Sequence, residues 1–188
     1  LATLMKVPAP PAFVAVDSSR NKVGALIEWF YNYPLSANEN FIMGGGIFKR
    51  FFPDFDFENG RQPNLRTFLL NIYTITGRRL IDTNDWKHHW AKIFLFDFMI
   101  GNTDRHQDNW GIVISDMKPY FSPAYDNGSS LGREYETDRL AQVNLDRYIR
   151  KGTHHIKWEF DDSKGIQHFE LVYEFTKRFP ETRETMLE

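Results

Sequence analysis

The chain has no cysteine, which excludes a disulfide scaffold, cysteine-based zinc sites and cysteine nucleophiles. No apolar run approaches the roughly 20 residues needed to span a bilayer, and nothing at the N-terminus resembles a signal peptide. A large excess of charge of one sign is also missing. The formal net charge is −2, so no global positive field draws the chain to nucleic acid or to an anionic membrane. Internal repeats and interdomain linkers are lacking. These absences predict a single cytoplasmic domain with no direct nucleic-acid or membrane partner. Aromatic residues, in contrast, are plentiful. There are 17 Phe and 5 Trp in 188 residues at 41 % hydrophobic content, enough for a sizeable core and unlike a disordered chain. The chain begins Leu1-Ala2-Thr3 without Met, which reads as a fragment or a processed product.

VPAPPAFVAV (7–16) starts with three prolines and then alternates, predicting a strand over Phe13 to Val16. Turn residues follow from Asp17 to Asn21. GALIEWF (24–30) predicts a second strand, so 12–30 forms a hairpin. Residues 31–62 are rich in Asn, Gly, Pro and Phe without a period, which predicts an irregular excursion with a short helix at most. Within it, GGGIFK (44–49) reads as a flexible turn, because it lacks the spacing of a Walker loop. PNLRTFLLNIYTITG (63–77) predicts a helix, with Pro63 in its first turn and Gly77 as its C-cap. Leu65, Phe68, Leu69, Ile72 and Tyr73 recur at helical spacing. A second helix is expected from a cap at Thr83 or Asn84 to about Met99, with Trp86, Trp90, Ile93, Phe94 and Phe98 on one face. GIVIS (111–115) and PYFS (119–122) predict a hairpin across Asp116-Met117-Lys118. SPAYDNGSSLG (122–132) reads as a loop, and helices are expected at about 137–150 and 165–179. The fold class is α+β, mainly helical with short β-hairpins.

IGNTDRHQDNW (100–110) sets Asp104, Arg105, His106, Asp108 and Asn109 between two hydrophobic segments. Asn109 follows Asp104 by five residues, and Asp126 of Asp126-Asn127-Gly128 follows it by 22. Phosphoryl transfer needs a carboxylate to orient the acceptor hydroxyl and take its proton. It also needs an amide and a second carboxylate to hold Mg²⁺ against the phosphates. A loop, a tight hairpin and a second loop bring three such oxygen donors together. Protein kinases use the same offset of five, and their metal-binding Asp stands in an Asp-Phe-Gly. Each piece alone is common. Asp-Asn-Gly is an ordinary turn, and the competing reading is a polar surface loop satisfying local backbone groups. Order and context together favour a phosphotransferase site.

FDFMIGNTDRHQDNWGIVI with FSPAYDNGSSLG resembles the C-terminal lobe of HipA-type serine/threonine kinases, the bacterial toxins of toxin–antitoxin pairs. Phosphatidylinositol-kinase-like folds share the Asp-Arg-His-x-x-Asn loop, but the Asn-Thr before the Asp favours HipA. The match covers roughly 90–132. The resemblance implies the mainly helical C-lobe of a protein-kinase-like fold with remnant hinge strands, 1–30 being the end of the N-lobe and hinge and 31–188 the C-lobe. It implies Asp104 as catalytic base, Asn109 and Asp126 as Mg²⁺ ligands, and His106 as a structural residue of the loop. ATP is the implied cofactor alongside Mg²⁺, a protein the implied substrate, and a DNA-binding antitoxin the implied partner. By analogy the backbone of Glu28, Trp29 and Phe30 meets the adenine edge; the alternative is an ordinary hairpin strand.

The resemblance fails upstream. A nucleotide kinase also needs a lid and a Lys for the phosphates, yet only 23 residues precede GALIEWF and no Gly-rich loop lies among them. The N-lobe is therefore expected to be missing or carried by a separate chain, and residues 1–188 alone are expected to bind ATP poorly. A lipid or small-molecule kinase and a non-catalytic pseudokinase or interaction module are the alternatives. Among other residues, Asp97 sits amid aromatics and needs a partner, either Arg105 or a loop amide. Asp108 adds charge near the metal or faces solvent. His88-His89 read as solvated or capping. His154-His155, with Arg147, Arg150, Lys151 and Lys157, read as a solvated basic face. Ser129 and Ser130 are candidate phosphorylation sites or simply flexible loop residues.

Overall fold

The computed structural model describes residues 1–32, 38–54, 64–78, 81, 86–115, 118–133, 144–159, 162 and 164–187. The architecture is α+β. Strand β1 (Ala12–Asp17) pairs antiparallel with β2 (Lys22–Ile27), Phe13 opposite Leu26 and Val16 opposite Val23. The predicted hairpin therefore forms, but both of its faces are open: Val14 is 80 % exposed on one face and Leu26 63 % on the other.

The second sheet contains a strand the sequence does not announce. Its order is β3 (Asn40–Met43), β4 (Gly111–Ile114), β5 (Tyr120–Phe121), all antiparallel. β3 runs directly into α1 (Gly44–Phe51), so GGGIFK is not a flexible turn. Gly44 and Gly45 are buried in the first helical turn. They donate from their amides to Trp110 O (2.9 Å) and Gln107 O (3.0 Å). A Cβ on Gly44 would lie 2.6 Å from Gln107 O and inside the Trp110 ring, so the glycine allows a close approach rather than a bend.

Helices α2 (Leu65–Gly77) and α3 (Trp86–Ile100) build the core. Asn64 caps α2 by accepting from Thr67 N at 2.9 Å; Pro63 lies outside the described residues, as do Thr83 and Asn84. Gly77 is the last residue of α2 rather than its cap, and Arg78 takes the cap position with φ −82°. Phe68 packs edge-on against Trp90 (4.6 Å between ring centres) and near Trp110 (5.7 Å), while Trp90 also meets Phe121 (5.7 Å). α3 is buried more broadly than one stripe. Phe96 and Asp97 are buried with Trp90, Ile93 and Phe94, whereas Phe98 is half-buried. The cause is that α3 has neighbours on several sides. α2 and the second sheet lie against its aromatic residues, and α5 (His168–Arg178), a 3₁₀ turn (Pro180–Thr182) and α6 (Arg183–Leu187) pack against it as well.

Of the helix expected at 137–150, the described part is α4 (Leu145–Lys151); 137–143 lie outside the described residues, as do Asp116 and Met117. The histidine pairs are not solvated. His88 bonds Thr185 Oγ1 at 2.6 Å, His89 stacks on Phe121 at 4.9 Å, and His154 is buried. Each is recruited by a distant segment, which local sequence does not show.

Candidate active site

The site is assembled at the C-terminal end of α3. Gly101 leaves the helix with φ +64°, and Asn102 N donates back to Asp97 O at 2.8 Å, a Schellman-type exit that starts the loop. Asp97, in the last turn, is fully buried. Its carboxylate accepts from Arg105 Nη2 (2.8 Å) and Nε (3.1 Å), from Asn102 Nδ2 (2.9 Å) and from His154 Nε2 (3.4 Å). Burial alone would raise this carboxyl. The Arg105 charge and the His154 and Arg105 hydrogen bonds outweigh burial and hold it below the usual carboxylate range. Arg105 is thus the partner that a buried Asp97 requires.

Arg105 ties two loops together. Nη1 donates to Asn109 O (3.0 Å) and to Tyr125 O (2.6 Å), and Nη2 to Asn127 Oδ1 (2.6 Å). One guanidinium therefore fixes the stretch holding Asn109 and both neighbours of Asp126. Tyr125 OH reaches back to Asp108 O at 2.5 Å. Burial raises the Tyr125 phenol above its ordinary value, so this hydroxyl stays a proton donor.

Asp104 is held by its backbone from both ends. Its N–H donates to Asn102 Oδ1 (3.1 Å), and its carbonyl accepts from Asn109 Nδ2 (2.7 Å) and His106 N (2.8 Å). The Asp104 carboxylate, half-buried, receives one long contact from Ser129 Oγ at 3.4 Å. Because the Asn109 amide nitrogen is committed to Asp104 O, its Oδ1 is left as a potential ligand. Asp126 is exposed in the left-handed region, φ +51°, a conformation Asp tolerates. Two carboxylates and an amide oxygen suit a hard, oxygen-seeking cation. Among the described residues no cluster of three or more His, Cys, Asp or Glu side chains could hold a metal, so Asn109 is needed for any three-residue set here.

The remaining sequence-derived residues divide. His106 Nδ1 accepts from Asp108 N at 3.1 Å, stiffening the loop turn. Its ring lies 5.6 Å from His155, whose pKa burial and the neighbouring His106 lower to about 4. Glu28 is exposed and its amide donates to Pro11 O at 2.9 Å, while Trp29 is exposed. Only Phe30 of that trio touches the site's loops, stacking on Tyr125 at 5.0 Å and meeting Phe41 at 5.4 Å. Ser130 is occupied by Asn127 O at 2.5 Å. Sequence reasoning missed Asn102, Asn127 and His154. The first two stand beside residues it singled out and were within reach as side-chain amides in turns; His154 carried no such signal.

No protein-family model matches the chain. A segment of 76 residues, 39 % of the chain, is 34 % identical to the serine/threonine-protein kinase CtkA of Helicobacter pylori and spans 22 % of that protein. The crystal structure of the H. pylori proinflammatory kinase CtkA aligns with a TM-score of 0.70 at 17 % identity, over 98 % of this chain and 69 % of that one. This chain therefore has the fold of the matched part of a kinase, and within it a stretch of sequence homologous to one.

Proposed function

We propose that the chain is the catalytic lobe of a HipA-like serine/threonine protein kinase, transferring the γ-phosphoryl group of ATP to a protein hydroxyl with Mg²⁺. The observation that carries this reading is the Arg105 hub, which locks the Asp104–Asn109 loop to the Tyr125–Asn127 loop. A phosphotransfer site needs a base carboxylate and metal-binding oxygens held in fixed relation. In this reading Asp104 orients the acceptor hydroxyl and takes its proton. Asn109 Oδ1 and Asp126 hold Mg²⁺, which when bound offsets the charge of the phosphates. Asp97, Asn102 and Arg105 keep the donors in place and do not touch the reacting atoms.

The open β1–β2 hairpin fits residues 1–30 as the end of an N-lobe and hinge, with 31–188 as the C-lobe. The lid and phosphate-binding Lys then come from further sequence or from another chain. A DNA-binding antitoxin partner and a cytoplasmic setting belong to the same proposal. Among the described residues no helix is long and apolar enough to cross a membrane.

The test is transfer from γ-labelled ATP to protein acceptors by the full-length gene product with Mg²⁺, EDTA-treated samples serving as the metal-free comparison. Label incorporation that disappears in Asp104→Asn, Asp126→Asn and EDTA samples is expected. Transfer that persists in Asp104→Asn, or a full-length product that transfers nothing, refutes the assignment.

A further inference from the structure

His154 lies 57 residues from Asp97 in sequence, in the connection between α4 and α5, yet its side chain is fully buried against the carboxylate. The two ring nitrogens have distinct partners. Nδ1 faces the backbone N–H of Ile156 at 3.2 Å. That N–H can only donate, so Nδ1 is an acceptor and the ring proton sits on Nε2. Nε2 in turn faces Asp97 Oδ2 at 3.4 Å, where it donates. The ring is further confined by Phe94 at 5.5 Å and His168 at 5.7 Å. Its backbone is pinned by His154 N donating to Ile166 O at 2.7 Å.

We propose that His154 is a positioning residue of the phosphotransfer site, completing the Asp97 carboxylate with a fourth donor and so fixing the orientation of Arg105. Asp97 Oδ1 is saturated by Arg105 and Asn102, whereas Oδ2 has only Arg105 Nε besides His154. Without His154 the carboxylate is held on its Oδ2 side by Arg105 Nε alone, and its rotation about its last bond is less restrained. Arg105 then loses the paired geometry that directs its other N–H groups to Asn109, Tyr125 and Asn127. The chain segment before α5 thereby sets the spacing between Asp104 and the metal-binding oxygens. This inference rests on the kinase reading for its effect on transfer, and on hydrogen-bond geometry alone for the bond itself.

The test uses the full-length gene product and three variants. Gln presents an amide nitrogen where Nε2 lies; Asn reaches only as far as Nδ1; Ala offers neither. His154→Ala and His154→Asn are expected to lower kcat by about tenfold to a hundredfold, the scale of a misplaced catalytic group. KM for the protein acceptor should stay unchanged, and His154→Gln should recover most of the rate. Thermal midpoints measured on the same samples confirm that each variant is folded under assay conditions. In parallel, ¹⁵N NMR of the wild-type imidazole should show the proton on Nε2. A proton on Nδ1, or a Gln variant as slow as Ala, overturns the proposal. A wild-type product that transfers no phosphoryl group overturns the kinase reading and the positioning role together, and the NMR result still decides the hydrogen bond.

Discussion

Asp97→Asn is the substitution with the most information in it, because Asp104→Asn makes the same chemical change seven residues away in a different setting. The Asp97 side chain is 0 % and that of Arg105 1 % exposed, and the carboxylate accepts four donors. An amide keeps one acceptor oxygen and turns an N–H₂ toward groups that are themselves donors. Arg105 remains charged, buried and without its counter-ion. Breaking a buried pair from one side costs about 3–5 kcal/mol, a large part of a total stability of about 5–15 kcal/mol. With a urea dependence of about 2 kcal/mol per molar, the unfolding midpoint should fall by about 2 M. Asp104, by comparison, has one long side-chain contact, from Ser129, so Asp104→Asn should change stability by less than about 1 kcal/mol. Urea melts followed by Trp fluorescence compare the two directly, Trp90 lying in the core beside this site. Equal midpoints, or an Asp97→Asn loss below about 1 kcal/mol, would show that Asp97–Arg105 is not the anchor described above.

Acid should act in two stages. Burial lowers His168 to about 4. The unfolded chain therefore binds that proton first, and stability should decline as pH falls from about 6.5 toward 4. The Asp97 carboxyl is also depressed, so its contribution is intact above about pH 4 and declines progressively below it; urea midpoints from pH 8 to 3 should follow the first step and the onset of the second, and that onset should be absent in Asp97→Asn. Gly44→Ala forces a methyl group against Gln107 O and Trp110 and should cost about 1–3 kcal/mol in a urea melt, whereas Gly46→Ala, whose Cβ would make only an ordinary contact with Ile42 Cγ2 at 3.7 Å, should be neutral or slightly stabilising. At Gly165 a Cβ would fall inside the His154 carbonyl oxygen. Gly165→Ala should consequently yield little folded protein by circular dichroism and size-exclusion chromatography.

Much of the fold was legible where the determinants are local. The period of Phe68, Leu69 and Ile72 marks α2, the aromatic stretch around Trp90 marks α3, and alternation plus a turn marks β1–β2. A lone acid among aromatics also implied a partner, and Arg105 lay eight residues on. What stayed hidden depends on distant segments. β3 is four residues long and is defined by β4, Asn40 facing Ile114, so no window of sequence contains the pairing. A run of three glycines ordinarily means a bend; here it opens a helix, because loop carbonyls far along the chain receive its amides. His154 stands in a basic, His-rich string whose composition points to solvent, and contacts with the distant Phe94, Asp97, Ile166 and His168 bury it.

The junction between α1 and the loop has a consequence for dynamics. Helix starts normally leave amides that water or a capping side chain must satisfy, and Met43 provides no side-chain cap. Here the acceptors are Gln107 O and Trp110 O, either side of Asn109. The exchange of the Gly44 and Gly45 amides with solvent deuterium therefore requires that the loop release its carbonyls. These two protons are native probes of how often the Asp104–Asn109 loop opens, readable without nucleotide, acceptor or turnover. A variant that speeds their exchange while leaving α3 amides protected would have loosened the loop without unfolding the domain.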